Sequence, residues 1–238
     1  MTARTRDVLV VLLALLSGAT DATGFLALGS AFTSVMTGNM VLVGVAIGTS
    51  DFSALGHVLA AIGGYVAGAA AGVRVAGTPR QGQGIWPSGV TRALLLELGL
   101  LTTYGVCWWA HGSHPPESWF WFLLALNAAA LGVQSSAILR FGVGGLSTTY
   151  LTGTLTTVVT KLATRQRFAD VGHAVGLLAG LISGAAVAAL LVTHARPLAP
   201  AFQLTLLLTV LLLAESGLLA RRNRSSGPPK PASWSAET

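Results

Sequence analysis

Six apolar runs of about 20 residues divide the chain, near 8–29, 54–76, 91–110, 118–139, 170–195 and 198–220. As α-helices, runs of this length cross a hydrocarbon core of about 30 Å. Only 9% of the 238 residues are charged, against about 25% in a soluble domain. A solvated surface cannot be built from so few, so the sequence predicts an all-α, polytopic transmembrane helical bundle in contact with the lipid bilayer. The net charge of +6 does not point to nucleic acid, because the basic residues lie between apolar runs. A single cysteine, Cys107, excludes an intrachain disulfide and a cysteine-based zinc site. Arg4 and Arg6 before an apolar run resemble the start of a signal peptide. The apolar character continues to about Gly29 and further spans follow, so the first helix is expected to be retained.

Two shorter apolar pieces, near 40–49 and 155–163, reach only about 13–15 Å as helices, half a bilayer. The distribution of Lys and Arg decides whether they cross. If all eight segments crossed with the N-terminus inside, nine basic residues would be cytoplasmic and five outside: Arg74, Arg80, Arg92, Arg140 and Arg196. If each short piece dips in and returns, thirteen are cytoplasmic and Arg196 alone is outside. The second arrangement is far more asymmetric. It predicts six full helices plus two re-entrant half-helices, with both termini cytoplasmic. Tryptophans on either side of the loop 111–117 fit an interfacial belt, and the loop carries no Lys or Arg, as an external loop should. A single membrane domain is expected over 1–220, followed by a basic, disordered cytoplasmic tail over 221–238.

The chain also repeats itself. Thr33, Ser34, Thr37 and Gly38 match Thr148, Thr149, Thr152 and Gly153 at a spacing of 115, and Asn39 matches Thr154. "LGHVLAAIGGYVAGAAAG" (55–72) matches "VGHAVGLLAGLISGAAVA" (171–188) at 116, and "GATDA" (18–22) matches "GVQSS" (132–136) at 114. The units span about 8–110 and 118–220, with three crossings each. An odd number of crossings inverts the second unit, and inverted repeats with broken helices are a recurrent plan of transporters. The TGN and TGT phrases would then form two tips meeting near the midplane. Thr and Asn side chains can cap the start of a short helix, and opposed helix N-termini favour an anion or a carbonyl oxygen. Capping and packing alone is the competing explanation.

Among single residues, Asp21 lies about 20 Å into the first helix. A carboxylate there marks a functional site by default, with a structural hydrogen bond near Thr20, Thr23 or Asn39 as the alternative. Glu97 and Glu215 sit within about two turns of a cytoplasmic helix end. They are expected to snorkel or to pair with Arg92, Arg221 or Arg222, a proton relay being the other option. His57 and His173 are repeat mates that inversion would put on opposite faces, so no metal site is expected. Gly64, Gly68 and Gly72, like Gly176, Gly180 and Gly184, form stripes that permit close helix contact, within the monomer or in a homodimer. No G-x-S-x-G, H-E-x-x-H or Walker phrase is present, so neither an enzyme nor a cofactor is expected.

The run "GATDATGFLALGSAFTSVMTGNMVLVGVAIG" together with "STTYLTGTLTT" resembles the YoaK family of bacterial membrane proteins, a domain of unknown function. The resemblance covers about residues 8 to 220 and implies an inner-membrane protein of about six helices. On its pattern Asp21, Thr37, Gly38 and Asn39 match the first half, and Gln134, Thr152, Gly153 and Thr154 the second. Where the family usually has Gln-Asn-Ala, this chain reads Gln134-Ser135-Ser136, which argues against a strict need for an amide at 135. These eight residues are the expected substrate-binding set. The expected function is a secondary transporter or channel for a small polar solute or ion, with Asp21 coupling protons or holding a cation. A scaffold or accessory subunit that binds partner helices through the glycine stripes is the alternative.

Overall fold

The computed structural model describes residues 2–77, 85–141, 151–164 and 171–225, the side chains of Ala3 and 218–225 excepted. Among these residues all regular structure is helical: α1 (Ala3–Ala27), α2 (Met36–Gly48), α3 (Phe52–Ala76), α4 (Ser88–Ala110), α5 (Phe120–Leu139), α6 (Leu151–Ala163), α7 (Gly172–His194) and α8 (Leu198–Ser225), with a 3-10 turn at Glu117–Trp119. Six of them, all but α2 and α6, are long and apolar enough to cross a membrane. α2 and α6 have 13 residues each. Both begin four residues before the apolar pieces read from the sequence, because their polar phrases form a first helical turn instead of a preceding loop. α8 keeps residues 221–225 helical, past the expected start of the tail, whose remainder (226–238) lies outside the described residues.

Helix packing falls into two groups. α2, α3, α4 and α5 pack together, and so do α6, α7, α8 and α1. The groups meet along two seams, α1 on α5 and α4 on α8. Exchanging α1–α4 for α5–α8 carries the first group onto the second and each seam onto itself.

The glycines show the same correspondence residue by residue. A Cβ on Gly64 would strike the Ala125 backbone, and one on Gly180 the Val11 backbone. Gly68 against Ala129 repeats as Gly184 against Leu15, and Gly132 against Tyr65 and Ala69 as Gly18 against Leu181 and Ala185. Each pair is displaced by 114 residues on α1 and α5 and by 116 on α3 and α7. Without side chains at these points the backbones approach closely, and van der Waals packing replaces the hydrophobic drive that lipid removes. Both glycine stripes are thus filled within the chain: that of α3 by α5, that of α7 by α1. They neither cross each other nor lie open for a partner helix.

Contact registers give the helix directions. Gly64, Gly68 and Gly72 meet Ala125, Ala129 and Val133 in rising order, so α3 and α5 are parallel, as are α1 and α7. α1 and α5 are antiparallel: Gln134 bonds Ser17, whereas Leu124 lies on Gly24.

The two ends of the bundle differ. At one, Trp108 Nε1 donates to the Arg196 carbonyl (3.1 Å), Trp109 Nε1 to the Pro197 carbonyl (2.8 Å), and Arg196 lies 5.4 Å over the Trp108 ring. His57 packs on Gly29 and Phe120 there. At the other end Arg6 lies over Phe141, Phe141 packs at a tilt against Trp86, Arg140 flanks Gly77, and His173 is within electrostatic reach of Asp7 and Arg6. Hence α3 and α7 each begin at the end of the bundle where the long helix before them finishes, α1 before α3 and α5 before α7.

Candidate functional site

After α1, Gly29 (φ 98°) and Ser30 (φ 59°) adopt left-handed conformations that turn the chain back along the helix. The returning segment is tied down by Asp21. Its Oδ1 accepts from the Thr33 N–H (2.7 Å), the Ser34 N–H (2.7 Å) and the Thr33 hydroxyl (3.0 Å). Its Oδ2 accepts from the Ser34 hydroxyl at 2.6 Å. Asp21, Thr33 and Ser34 are all buried. Buried backbone donors must find partners, and a carboxylate supplies several acceptor sites at once. Asn39, buried in the first turn of α2, clasps one more residue: its Oδ1 accepts from the Phe32 N–H (2.9 Å) and its Nδ2 donates to the Phe32 carbonyl (2.7 Å). The expected side-chain cap on α2 is absent; Val35 stands at the cap position, and Asn39 serves the preceding strand of chain instead.

Gln134 occupies the α1–α5 seam. Its Nε2 donates to the Ser17 hydroxyl (2.8 Å) and the Leu13 carbonyl (3.3 Å). The antiparallel register places the crossing of α1 and α5 near Gly18 and its repeat mate Gly132. Asp21 and its mate Ser135 each lie three residues beyond that point, about 4.5 Å along their helices and in opposite directions.

The remaining expected site residues separate. Gly38 is half-buried against Phe32 and Val35, and Thr154 is buried on α6. Thr37, Thr152 and Gly153 are exposed. Extensive packing between α2 and α6 is absent among the described residues. Thr148 and Thr149 lie outside them. Asp21 and Asn39 are therefore joined through residues 32–34 beside the last turns of α1, and Gln134 bonds α1 farther back, at Leu13 and Ser17.

A second polar group was not singled out from the sequence, Glu97 excepted. Glu97 and Tyr104 on α4, Asn127 on α5 and Gln203 on α8 are each 0% exposed. Both Glu97 oxygens, both Asn127 amide atoms, the Tyr104 hydroxyl and Gln203 Oε1 have no hydrogen-bond partner. Gln203 Nε2 reaches the Thr23 hydroxyl at 3.2 Å. The Tyr104 hydroxyl lies close to the Asn127 side chain without completing a bond. The α1–α5 register sets Asn127 level with Thr23. These side chains lie on buried faces of α4, α5 and α8. Glu97 departs from expectation: it neither snorkels nor pairs with Arg92, while the side chains of Arg221 and Arg222 lie outside the described residues. It shares the covered stripe Val90, Leu94, Leu101, Tyr104, Trp108, which turns it inward, whereas Glu215 is exposed. The available signal was a lone amide in each of two apolar runs, "FLLALNAAAL" and "PAFQLTLLL", and the seven-residue spacings Glu97–Tyr104 and Asn127–Gln134 that put both members on one helix face. No group of three His, Cys, Asp or Glu side chains that could hold a metal occurs among the described residues.

The profile of the family described as "Protein of unknown function (DUF1275)" matches residues 9–214. The UPF0700 transmembrane protein YoaK of Bacillus subtilis (strain 168) is 35% identical over 163 residues, which cover 68% of this chain and 70% of that protein. No solved structure matches the chain.

Proposed function

We propose a transport function for this chain, which belongs to the DUF1275 family: it carries a small polar solute or ion across the bacterial inner membrane. In this proposal the two halves are inverted repeats, and α2 and α6 are re-entrant half-helices. Three observations support that plan: α1 runs antiparallel to its mate α5, the helix contacts are preserved when the halves are exchanged, and α3 and α7 each begin at the end of the bundle where the long helix before them finishes. The basic end, with Arg6, Arg74 and Arg140, faces the cytoplasm, and Arg196 faces outward.

The observation that carries transport is the row of buried polar side chains with unused hydrogen-bonding atoms on α4, α5 and α8. Leaving such groups unsatisfied costs about 1–3 kcal/mol each, so a purely structural interior would have no use for them. Tyr104, Asn127 and Gln203 offer donors and acceptors to a small solute with hydroxyl, amide or carboxylate groups. Asp21 and Asn39 act one step back, fixing the 32–34 segment beside that row. Solute would pass as the two helix groups part along the seams.

Proteoliposome light scattering with glycerol, urea, glycine and alkali-metal chlorides tests this. Asn127→Leu removes two unpartnered polar atoms. It should leave the melting temperature unchanged or raised while cutting flux at least tenfold. A variant that melts well below the parent makes Asn127 a structural residue, and undiminished flux removes it from the path.

A further inference from the structure

We propose that Glu97 is a proton-binding site of the carrier, loading and releasing its proton as the two helix groups part, a role that rests on the transport function proposed above. The carboxylates of this chain that can be compared are Asp7, Asp21, Asp51, Glu97, Glu117 and Glu215. Asp7 pairs with Arg6 at 2.8 Å, Asp21 takes four hydrogen bonds, Asp51 caps α3 by accepting from the Ala54 N–H, and Glu117 receives the Ser53 hydroxyl. Glu215 is exposed. Glu97 combines full burial with two unpartnered oxygens. It lies about 14 Å from the first residue of α4 and about 20 Å from the last, deep within the span.

No charge among the described residues compensates it. α5 has no ionisable side chain between Phe120 and Leu139. α8 offers Glu215, which is exposed, and Arg221, Arg222 and Arg224, whose side chains lie outside the described residues. α3 offers Arg74, exposed in its last turn, His57 at the opposite end, and Tyr65. On α4 itself Arg92 is exposed, Tyr104 lies two turns away, and Cys107 is farther still. An ionised carboxylate in such surroundings is heavily disfavoured, whereas the neutral acid is not. A metal cation would require several further ligands, and no acidic or histidine cluster provides them among the described residues. A proton requires only the carboxyl oxygen. Glu97 therefore takes a proton from water when the packing around α4 opens to one side and returns it to water on the other. The O–H bond formed on Oε is the bond later broken, and no other reactant takes part.

Infrared spectroscopy of the purified, reconstituted protein reads this without any solute. The parent should show the carbonyl stretch of a protonated carboxylic acid that titrates with pH and shifts in D2O within minutes. Glu97→Gln and, as a second replacement, Glu97→Met should lack that band, and Asp21→Asn should keep it. A band that persists in both Glu97 variants, never exchanges in D2O, or is displaced by sodium or potassium chloride at constant pH overturns the proposal. The band with no flux in the light-scattering panel would leave the proton site standing without the transport function; flux without the band would do the reverse.

Discussion

The sequence suggests that Asp21 couples protons or holds a cation, and in the structure its carboxylate ties down Thr33 and Ser34; replacing it in two ways separates the roles. In Asp21→Ala all four hydrogen bonds disappear. The Thr33 and Ser34 hydroxyls can rotate to other acceptors, but their backbone N–H groups cannot, and both residues are buried. Two orphaned donors at about 1–3 kcal/mol each give a loss of about 2–6 kcal/mol. For a chain of this size that lowers Tm by on the order of 10 °C. In Asp21→Asn the amide oxygen can still accept the three bonds now made to Oδ1, and the new NH2 can donate to the Ser34 hydroxyl, which accepts as readily as it donates. Only the charge-assisted part is lost, about 1–2 kcal/mol, or a few degrees. Scanning fluorimetry in detergent at one fixed scan rate gives the order parent, then Asn, then Ala far below, with solute flux retained in the Asn variant. Asp21→Asn folding like the parent but losing all flux would return Asp21 to ion coupling. Asp21→Ala melting like the parent would dissolve the clamp.

Other consequences can be checked directly. Gly68→Leu and its mate Gly184→Leu drive side chains into the Ala129 and Leu15 backbones, and each should cost about 1–3 kcal/mol or more in thermal unfolding; Gly99→Leu, with nothing within 4 Å, should stay within about 0.5 kcal/mol. Single cysteines at the exposed positions Ser53 and Gly172, introduced into a Cys107→Ala background, should react with a membrane-impermeant maleimide from opposite sides of intact vesicles, and labelling from one side would refute the inversion. Arg196→Ala gives up the contact over Trp108, worth about 0.5–1 kcal/mol, and so should shift Tm by no more than a few degrees.

How far the sequence could be read followed from what each signal measures. Span count came from hydropathy, which integrates over some twenty residues and tolerates local exceptions, so six long helices were legible. Spacings of 114 and 116 recur among the backbone contacts at glycines, where a substitution would collide. The TGN and TGT phrases misled on detail. Their polarity suggested loop tips, yet they are first helical turns, and Asn39 spends both ends of its amide on Phe32. Glu97 misled through position: two turns from a helix end suggests reach to water, but reach depends on which face the residue occupies. The Leu94–Leu101–Tyr104 spacing on the same stripe held that information. Asn127 and Gln203 were passed over because a single amide barely moves a hydropathy average.

The packing also bears on how such a molecule could move. Within each helix group the tightest contacts are backbone against backbone, at Gly64, Gly68 and Gly132 in one and at Gly18, Gly180 and Gly184 in the other. Interfaces of this kind have no side chains to repack, so each group resists internal shear. The seams are different. The α1–α5 seam carries the Gln134–Ser17 bond, and α4 meets α8 near Gly105 and Pro200. Hydrogen bonds between polar side chains can be exchanged for bonds to water or solute at little net cost, whereas backbone packing cannot. In the transport function proposed above, the two groups part along the seams. It also follows that each moving group mixes helices from both halves of the sequence, since α5 belongs with α2–α4 and α1 with α6–α8. Cutting the chain between Ala110 and Glu117 would separate the repeats in sequence but not the groups that move, so the two fragments should remain associated through α3–α5 and α1–α7.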